Sequence, residues 1–208
     1  MKKKSKILSL VILMIVLVSI LLTQSNYVRR LLNWETEKII EVKIKPSFAK
    51  TIWDKKVGLG YSTVSVYKNK LLTAGYSKEY RKDVLFCFNA KTGRLIWKYS
   101  YPATKGGGYA GVRATPVTNG KYVYQLSRDG LLICLTLDKG RLVWQKDTVK
   151  QFGAKTPYWG FASSPVFMGN KVVVNAGEFG MAFDTVTGQS IWPNKGGAGN
   201  YSSVKPFQ

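Results

Sequence analysis

The stretch Ala90-Lys91-Thr92-Gly93-Arg94-Leu95-Ile96-Trp97 decides the fold, because its ending recurs along the chain. A glycine followed four residues later by tryptophan appears again as Gly140-Arg141-Leu142-Val143-Trp144 and as Gly188-Gln189-Ser190-Ile191-Trp192. The tryptophans are spaced by about 47 residues, and Trp53 lies a similar distance before Trp97, although no glycine precedes it by four residues. A period of this length indicates a repeat architecture.

Each repeat ends in the same local pattern. An apolar run at residues 84–88 or 131–135 leads into a polar turn whose glycine can take the positive φ of a tight hairpin. The strand that follows closes on tryptophan, whose indole buries a large apolar area. We therefore predict a structural blade motif in which each tryptophan fills the space between neighbouring units. Its residues are Gly93, Trp97, Gly140, Trp144, Gly188 and Trp192.

The sequence of each unit is compatible with four short strands. The first unit has them at residues 63–67, 71–74, 84–89 and 95–99, the second at 115–118, 122–127, 131–136 and 142–146, and the third at 164–167, 172–176, 180–184 and 190–192. Four antiparallel strands in each repeat, with tight turns and a repeated tryptophan, are typical of a β-propeller blade. An ordinary β-sandwich is the alternative, but it has no need of equal unit lengths.

The predicted fold class is therefore all-β. We expect a partial β-propeller of about three four-stranded antiparallel blades plus the start of a fourth, preceded by an N-terminal transmembrane or signal helix. The propeller repeats cover residues 50–208, with blades at about 58–99, 108–146 and 158–192. A partial fourth blade covers residues 199–208, because Gly199-Asn200-Tyr201-Ser202-Ser203 repeats the opening of the earlier units.

The N-terminal residues 1–23 are predicted to be a signal peptide or signal anchor. Four lysines precede an apolar run at residues 7–22, whose length lies between that of a signal-peptide core and that of a spanning helix. We favour an uncleaved anchor with its lysines inside a bacterial cell and the repeats facing the periplasm or the cell exterior. If the signal is cleaved, the protein is secreted. Residues 24–49 are predicted to form a connector.

The charge of the chain limits its partners. It carries 32 Lys and Arg residues against 11 Asp and Glu residues, a formal net charge of +21. Such a surface favours anionic partners, and anionic envelope polymers are among those considered. Nucleic acid is not expected, because the basic residues are scattered over turns and strand ends without a nucleic-acid-binding motif. The other predicted partners are the membrane, through the N-terminal helix, and proteins or a second copy of the chain, through open blade edges.

Histidine is absent from the sequence, which removes the commonest general base and the commonest neutral metal ligand. The two cysteines, Cys87 and Cys134, occupy the same position in consecutive repeats, six residues before the turn glycine. Equivalent positions in adjacent sheets lie about 10 Å apart, which is too far for a disulfide. We predict two buried free thiols.

Several other segments have chemistry that a functional site could use. The glycine-rich stretches 105–109 and 195–199 lack the residues of a phosphate-binding loop, and we interpret them as flexible connections between blades. Asp129 and Asp184 lie at hairpin turns, where an aspartate commonly bonds to its own backbone. Glu178 lies in a loop without an obvious turn role and is a further candidate.

Four segments resemble the pyrroloquinoline-quinone-like (PQQ-like) repeat family, which includes the propellers of bacterial quinoprotein dehydrogenases and of the outer-membrane assembly scaffold lipoprotein. They are residues 90–97, Thr115-Pro116-Val117 with Gly120-Lys121-Tyr122-Val123-Tyr124, Trp159-Gly160-Phe161-Ala162-Ser163-Ser164-Pro165-Val166, and Thr187-Gly188-Gln189-Ser190-Ile191-Trp192. The resemblance covers the chain from about Trp53 onward and implies a propeller of about eight blades. With three blades and a fraction, this sequence resembles a truncated member, or one that closes with another chain.

The resemblance does not extend to a cofactor site. Quinone-dependent members of the family carry a vicinal cysteine pair, a tryptophan stacked on the quinone, and a Glu/Asn/Asp set that holds calcium beside a catalytic aspartate. Here Cys87 and Cys134 stand alone, and the sequence shows no acidic cluster for a hard cation. We therefore predict no catalytic residue, metal site or cofactor, with PQQ and calcium entering only under the dehydrogenase alternative.

By analogy with the family, the connections between blades meet at one rim of the disc near its axis. The rim residues are Tyr109, Arg113, Tyr158, Trp159 and Tyr201, which suit a binding surface, with ordinary packing as the structural alternative. We therefore predict a membrane-anchored, extracytoplasmic PQQ-like propeller module that acts as a non-catalytic binding or assembly scaffold. The alternative function is a quinone-dependent alcohol or sugar dehydrogenase or a truncated remnant of one, and a fragment without independent activity is the third possibility.

Overall fold

A computed structural model describes residues 50–104, 110–192, 196–199 and 201–205 of the 208-residue chain. The predicted signal or anchor helix at residues 1–23 and the connector at 24–49 lie outside the described residues. Within the described part, no helix has the length and apolar character that a membrane crossing requires.

Two sheets of four antiparallel strands follow one another along the chain. The first contains β1 (Ser65–Tyr67), β2 (Lys70–Ser77), β3 (Lys82–Asn89) and β4 (Leu95–Pro102), in that spatial order. The second contains β5 (Val117–Thr118), β6 (Tyr122–Leu126), β7 (Leu131–Thr136) and β8 (Leu142–Asp147), again in sequential order. Each strand therefore pairs with its neighbour in sequence, as the tight turns predicted. The all-β class and the four-stranded antiparallel sheets are confirmed.

The third sheet differs from the prediction in its last strand. It has three strands, β10 (Val166–Met168), β11 (Lys171–Val174) and β12 (Met181–Asp184). The strand predicted at residues 190–192 is reduced to a single bridge between Ser190 and Phe183 and one hydrogen bond from Ile191 N–H to Ala182 O, 2.8 Å. Pro193, next in the sequence, has no amide hydrogen with which to extend a ladder.

A short parallel pair links two connecting segments. It consists of β9 (Ala154–Lys155), which follows the second sheet, and β13 (Gly197–Ala198), which follows the third. Residues 197–198 of the second glycine-rich stretch thus contribute backbone to a pairing between consecutive connections, in line with the interpretation of that stretch as an inter-blade segment. The first glycine-rich stretch, at 105–109, lies outside the described residues.

The sheets stack face to face, because β6 and β7 of the second sheet have two apolar faces. Val123, Ile133 and Leu135 pack with residues of the first sheet, including Leu72 and Leu85, in one core. The alternate residues of the same strands pack against the third sheet in a second core, whose members include Tyr124, Leu126, Leu132, Cys134, Val172, Val174, Met181 and Phe183. A strand buried on both faces loses the usual alternation of polar and apolar residues, and this explains the continuous apolar run at 131–135.

The tryptophan of each unit lies against the turn glycine of the next. The three pairs are Trp53 with Gly93, Trp97 with Gly140, and Trp144 with Gly188. Each indole N–H donates to the carbonyl three residues before that glycine, namely Ala90 (3.0 Å), Leu137 (3.0 Å) and Thr185 (3.3 Å). Trp53 makes these contacts without belonging to a strand.

The turn glycines satisfy two constraints at once. Gly93, Gly140 and Gly188 have φ values of 68°, 64° and 68°, in the left-handed region that glycine adopts without strain. A Cβ added to Gly140 would lie 2.6 Å from carbon atoms of the Trp97 ring. The backbone conformation and the contact with the indole therefore require the same residue.

The two cysteines belong to different cores. Cys87 lies opposite Trp97 in the core between the first two sheets, and Cys134 lies opposite Trp144 in the core between the second and third. The prediction of buried free thiols is confirmed. Burial raises the pKa of Cys87 to about 11 and that of Cys134 to about 12.

We expect Gly140→Ala to lower the free energy of unfolding by about 2–4 kcal/mol, because it adds left-handed strain and a clash with Trp97. The matched control is Gly169→Ala, since Gly169 has a φ of 60° but nothing within 4 Å of an added Cβ. That control should lose only about 1–2 kcal/mol, the backbone part. Urea unfolding followed by tryptophan fluorescence measures both, and equal losses would contradict the indole contact.

We also expect both thiols of the native chain to resist an aromatic disulfide reagent at pH 8, because the reactive thiolate is suppressed and access is closed. Once the chain is unfolded, both thiols should react, so that two equivalents of the reagent's aromatic thiolate are released per protein molecule. Rapid labelling of either cysteine under native conditions, at a rate independent of denaturant, would show that its core is open.

Candidate binding rim

The sequential antiparallel topology places the connections at two ends of the stacked sheets. The hairpins β1–β2 and β3–β4, with their counterparts in the later sheets, lie at one end, called here the turn end. The hairpins β2–β3 and β6–β7 and the connections between sheets lie at the other, called here the rim end. Four of the rim residues predicted from the sequence lie on connections of the rim end, namely Arg113, Tyr158, Trp159 and Tyr201. The fifth, Tyr109, lies outside the described residues.

Hydrogen bonds join the openings of consecutive units at the rim end. Tyr61 N–H donates to Val112 O at 2.6 Å, and Thr63 N–H donates to the Thr115 hydroxyl at 3.2 Å. Thr115 N–H in turn donates to the Ser164 hydroxyl at 2.8 Å. The Thr/Ser residue at this position of the repeat therefore accepts a bond from the preceding unit, and the inner edges of the three units are joined in register.

Three of the predicted rim residues form one aromatic cluster. The rings of Tyr158 and Trp159 meet edge to face with centroids 4.7 Å apart. Trp159 N–H donates to the Tyr201 hydroxyl at 2.8 Å, a contact between residues 42 positions apart. The exposed fractions of Tyr158, Trp159 and Tyr201 are 87%, 41% and 46%. The cluster is thus positioned by the fold and still open to solvent.

Arg113 lies in a separate contact. Its guanidinium carbon is 5.2 Å from the ring centroid of Tyr61, within the range of a cation–π interaction. Tyr61 was not among the predicted site residues, although its repeat equivalence to Arg113 and Tyr201 was available from the opening motif. Phe179, with an exposed fraction of 67%, was also missed because nothing in its local sequence distinguishes it from a loop residue.

Glu178 lies on the same loop as Phe179, and the structure gives the loop a role. Glu178 N–H donates to Gly196 O at 2.7 Å, and a Cβ on Gly197 would lie 3.1 Å from the Cβ of Glu178. The loop therefore rests on the glycine-rich connection through its backbone. The carboxylate is exposed, and the described residues contain no group of three acidic or cysteine side chains close enough together to hold a metal ion.

The two turn aspartates have different roles. Asp184 accepts bonds from Val186 N–H, Thr187 N–H and the Thr187 hydroxyl, so it bonds to its own turn as predicted. The prediction for Asp129 was wrong in its partner. Its carboxylate accepts from Thr104 N–H at 2.8 Å and from the Thr104 hydroxyl at 2.6 Å, and thereby ties the β6–β7 hairpin to the connection after the first sheet.

Asp83 is a buried carboxyl that sequence reasoning did not single out. It lies on β3 between two buried tyrosines, its cross-strand partners Tyr76 on β2 and Tyr101 on β4. Tyr101 is close enough to influence its ionisation, yet neither carboxylate oxygen nor the Tyr101 hydroxyl completes a hydrogen bond of standard geometry. Its equivalent in the second sheet is Gly130, so no repeated pattern pointed to it.

The surroundings of Asp83 disfavour its charge. Burial is the main cause, and the nearby Asp129 carboxylate adds to it, so that the pKa of Asp83 is raised to about 7. The buried Arg128 guanidinium and the Tyr101 hydroxyl act in the opposite direction but are outweighed. The neutral carboxyl of Asp83 is therefore favoured at mildly acidic pH, where an exposed aspartate is ionised.

Comparison with known proteins identifies the fold. The family model described as outer membrane protein assembly factor BamB matches residues 81–204, more than half of the chain. No curated protein matches the sequence. Among solved structures, a europium-containing methanol dehydrogenase matches with a TM-score of 0.55 and 14% identity, over 69% of this chain and 26% of that one. A quinohemoprotein alcohol dehydrogenase from Comamonas testosteroni matches with a TM-score of 0.51 and 24% identity, over 65% and 21%.

These matches show a PQQ-like β-propeller fold, which dehydrogenases and the BamB assembly factor share. The chain spans only 26% and 21% of the lengths of these two dehydrogenases. At these identities, the structural likeness describes the fold alone, and the role of the chain has to be argued from its own residues.

We expect the stability of the protein to fall as pH rises from about 4 to 7, because of Asp83. Its pKa of about 7 in the folded chain exceeds the ordinary value of 3.8, so between these values the folded chain binds one more proton than the unfolded chain. The contribution to the free energy of unfolding then falls by about 1.4 kcal/mol per pH unit and levels off above the folded-state pKa. Urea unfolding from pH 4.5 to 8 measures it.

Asp83→Asn keeps the shape of the neutral carboxyl and should remove the pH dependence that Asp83 gives to the free energy of unfolding. The difference in the free energy of unfolding between variant and wild type should therefore widen as pH rises. Asp184→Asn is the control, because hydrogen bonds from its turn lower the pKa of Asp184. Its stabilising contribution is present above the ordinary pKa and is lost only at more acidic pH. Parallel profiles for wild type and Asp83→Asn would contradict the assignment.

Proposed function

Because the chain belongs to the family described as outer membrane protein assembly factor BamB, we propose that it acts as a non-catalytic binding or assembly scaffold. On this proposal the stacked sheets are blades of a partial propeller, three with the start of a fourth. The basic leader and apolar run at residues 1–23 support a bacterial membrane anchor with the repeats outside the cytoplasm.

The aromatic cluster of Tyr158, Trp159 and Tyr201 is the observation that carries the proposal. Large, rigid aromatic side chains supply much of the energy of protein interfaces, and they cost little conformational entropy to order. Here they are fixed by a backbone hydrogen bond and an edge-to-face contact, and Phe179 adds a further exposed ring at the same end of the sheets. A protein surface with apolar side chains at its centre is the partner that such a cluster fits.

The donor set of the chain does not fit a quinone cofactor. The two cysteines belong to separate cores on either side of the second sheet, so they cannot form the vicinal pair of quinone-dependent relatives. Burial also keeps both thiols protonated. The dehydrogenase alternative is therefore the less favoured function for the residues of this chain.

A photo-crosslinking amino acid at position 158 of the full chain, expressed in a bacterial envelope, should give a discrete adduct with a protein partner. The control is the same substitution at Val186, which is exposed at the turn end. A second variant combines Trp159→Ala with the crosslinker at position 158. If the Trp159 ring is an interface anchor, the yield of the adduct should fall at least about fivefold in this variant.

Equal adducts at positions 158 and 186, or no loss with Trp159→Ala, would contradict a specific rim interface. Saturable binding of PQQ with calcium by the purified chain, together with dye-linked alcohol oxidation, would overturn the non-catalytic proposal in favour of the dehydrogenase.

A further inference from the structure

The groove between the first and second sheets at the turn end has a different chemistry from the rim. Its volume is about 830 Å³, within the range of small-molecule sites. The charged residues that line it are Lys68, Lys70, Arg94, Lys121 and Asp138, and the tyrosines are Tyr67 and Tyr122. The lining thus has four cationic side chains and one acidic side chain, an excess of three positive charges.

Among the described residues, no carboxylate forms an ion pair with a cation of the groove. In the part of the chain that the structure describes, the one ion pair within 4.0 Å joins Lys150 and Asp147, which lie at the rim end. Two of the lysines lie instead over tyrosine rings. The ammonium of Lys68 is 5.5 Å from the centroid of Tyr67, and that of Lys121 is 5.2 Å from the centroid of Tyr122. A ring face positions an ammonium group without neutralising it.

The walls of the groove are held by contacts between the sheets. Trp97 of the first sheet donates to Leu137 O of the second, and Leu137 lines the groove. The Tyr67 hydroxyl approaches Gly120 so closely that an added Cβ would lie 2.6 Å from it. The site is therefore preformed, which lowers the entropic cost of binding.

Lys68 lies in a turn whose backbone conformation is uncommon for a residue with a side chain. Lys68 has a φ of 52°, a left-handed conformation that non-glycine residues seldom adopt. The equivalent turn of the third sheet has Gly169 at this place with a φ of 60°, and that residue adopts the conformation freely. The first unit thus carries a cation at a position where another repeat has glycine.

We propose that this groove binds a small anionic ligand through its phosphate groups. The Arg94 guanidinium provides a planar pair of donors and the lysines provide point charges, the combination that proteins use for phosphate. Three excess positive charges fit a ligand with more than one negative charge, and the tyrosine rings provide apolar walls for its remainder. The site lies at the end of the sheets opposite the rim, so it is independent of the scaffold proposal.

Isothermal titration of the purified full chain with pyrophosphate, at one fixed ionic strength, tests the proposal. We expect saturable binding of one pyrophosphate per chain. Lys68→Asn and Arg94→Gln should each weaken it about tenfold or more, because each removes a charged donor. Asn tolerates the left-handed conformation, so Lys68→Asn should not lose stability, and urea unfolding checks this.

Arg141→Gln is the matched control, because Arg141 follows the turn glycine of the second sheet as Arg94 follows that of the first but does not line the groove. It should change the affinity less than twofold. Absence of saturable binding, equal loss with Arg141→Gln, or equally tight binding of citrate would overturn the proposal.

Competition distinguishes the source of the phosphate. Displacement of bound pyrophosphate by vesicles of phosphatidylglycerol in phosphatidylcholine, and not by phosphatidylcholine alone, supports a lipid headgroup. Retention of pyrophosphate in the presence of both vesicles supports a soluble phosphate compound. The rim crosslink is measured separately, so loss of one site leaves the result for the other unaffected.

Discussion

The contact between an indole and the turn glycine of the following unit is the constraint on which the structure depends. A strand face has no intrinsic preference for which neighbouring sheet it packs against, since apolar burial is not directional. The indole makes the contact specific, because its N–H donates to one carbonyl, three residues before a turn glycine. The ring fits against that glycine only because the glycine has no Cβ. Repeating this contact sets the spacing between sheets and makes the turn a part of the core.

The same contact separates the molecule into two chemically distinct ends. At the turn end, the glycines bring hairpins of adjacent sheets together, and the basic residues of those hairpins gather around a groove with a single acid. At the rim end, longer connections cross from sheet to sheet, and their aromatic residues meet through long-range hydrogen bonds such as that from Trp159 to Tyr201. The proposed interaction surface and the proposed ligand groove therefore share no residues.

The buried polar residues show how the repeat tolerates exceptions. The equivalent of Asp83 in the second sheet is Gly130, where an added Cβ would meet the Thr148 hydroxyl at 2.6 Å. The first unit instead places a carboxyl there, beside the Tyr101 hydroxyl, in a pocket that holds the pKa near 7. A repeat protein needs only its docking contacts to be regular, so single positions inside a unit can acquire a different chemistry at a modest cost in stability.

The sequence by itself determined the all-β class, the strand order and the docking positions, because each follows from local rules: glycine at a left-handed turn, alternation along strands, and a tryptophan at a fixed interval. The rim was predicted from the resemblance to the propeller family, and its described residues lie on connections at one end of the sheets, while their role in binding stays a prediction. Tertiary structure alone decided that Asp129 bonds to Thr104, that Asp83 is buried without a hydrogen-bond partner, and that Lys68, Arg94 and Lys121 share a groove. Those residues come from different hairpins, and only the packing of one sheet on the next fixes their distances. The last strand of the third unit is reduced to a single bridge for a different reason, because Pro193, which follows it in the sequence, cannot donate a ladder hydrogen bond.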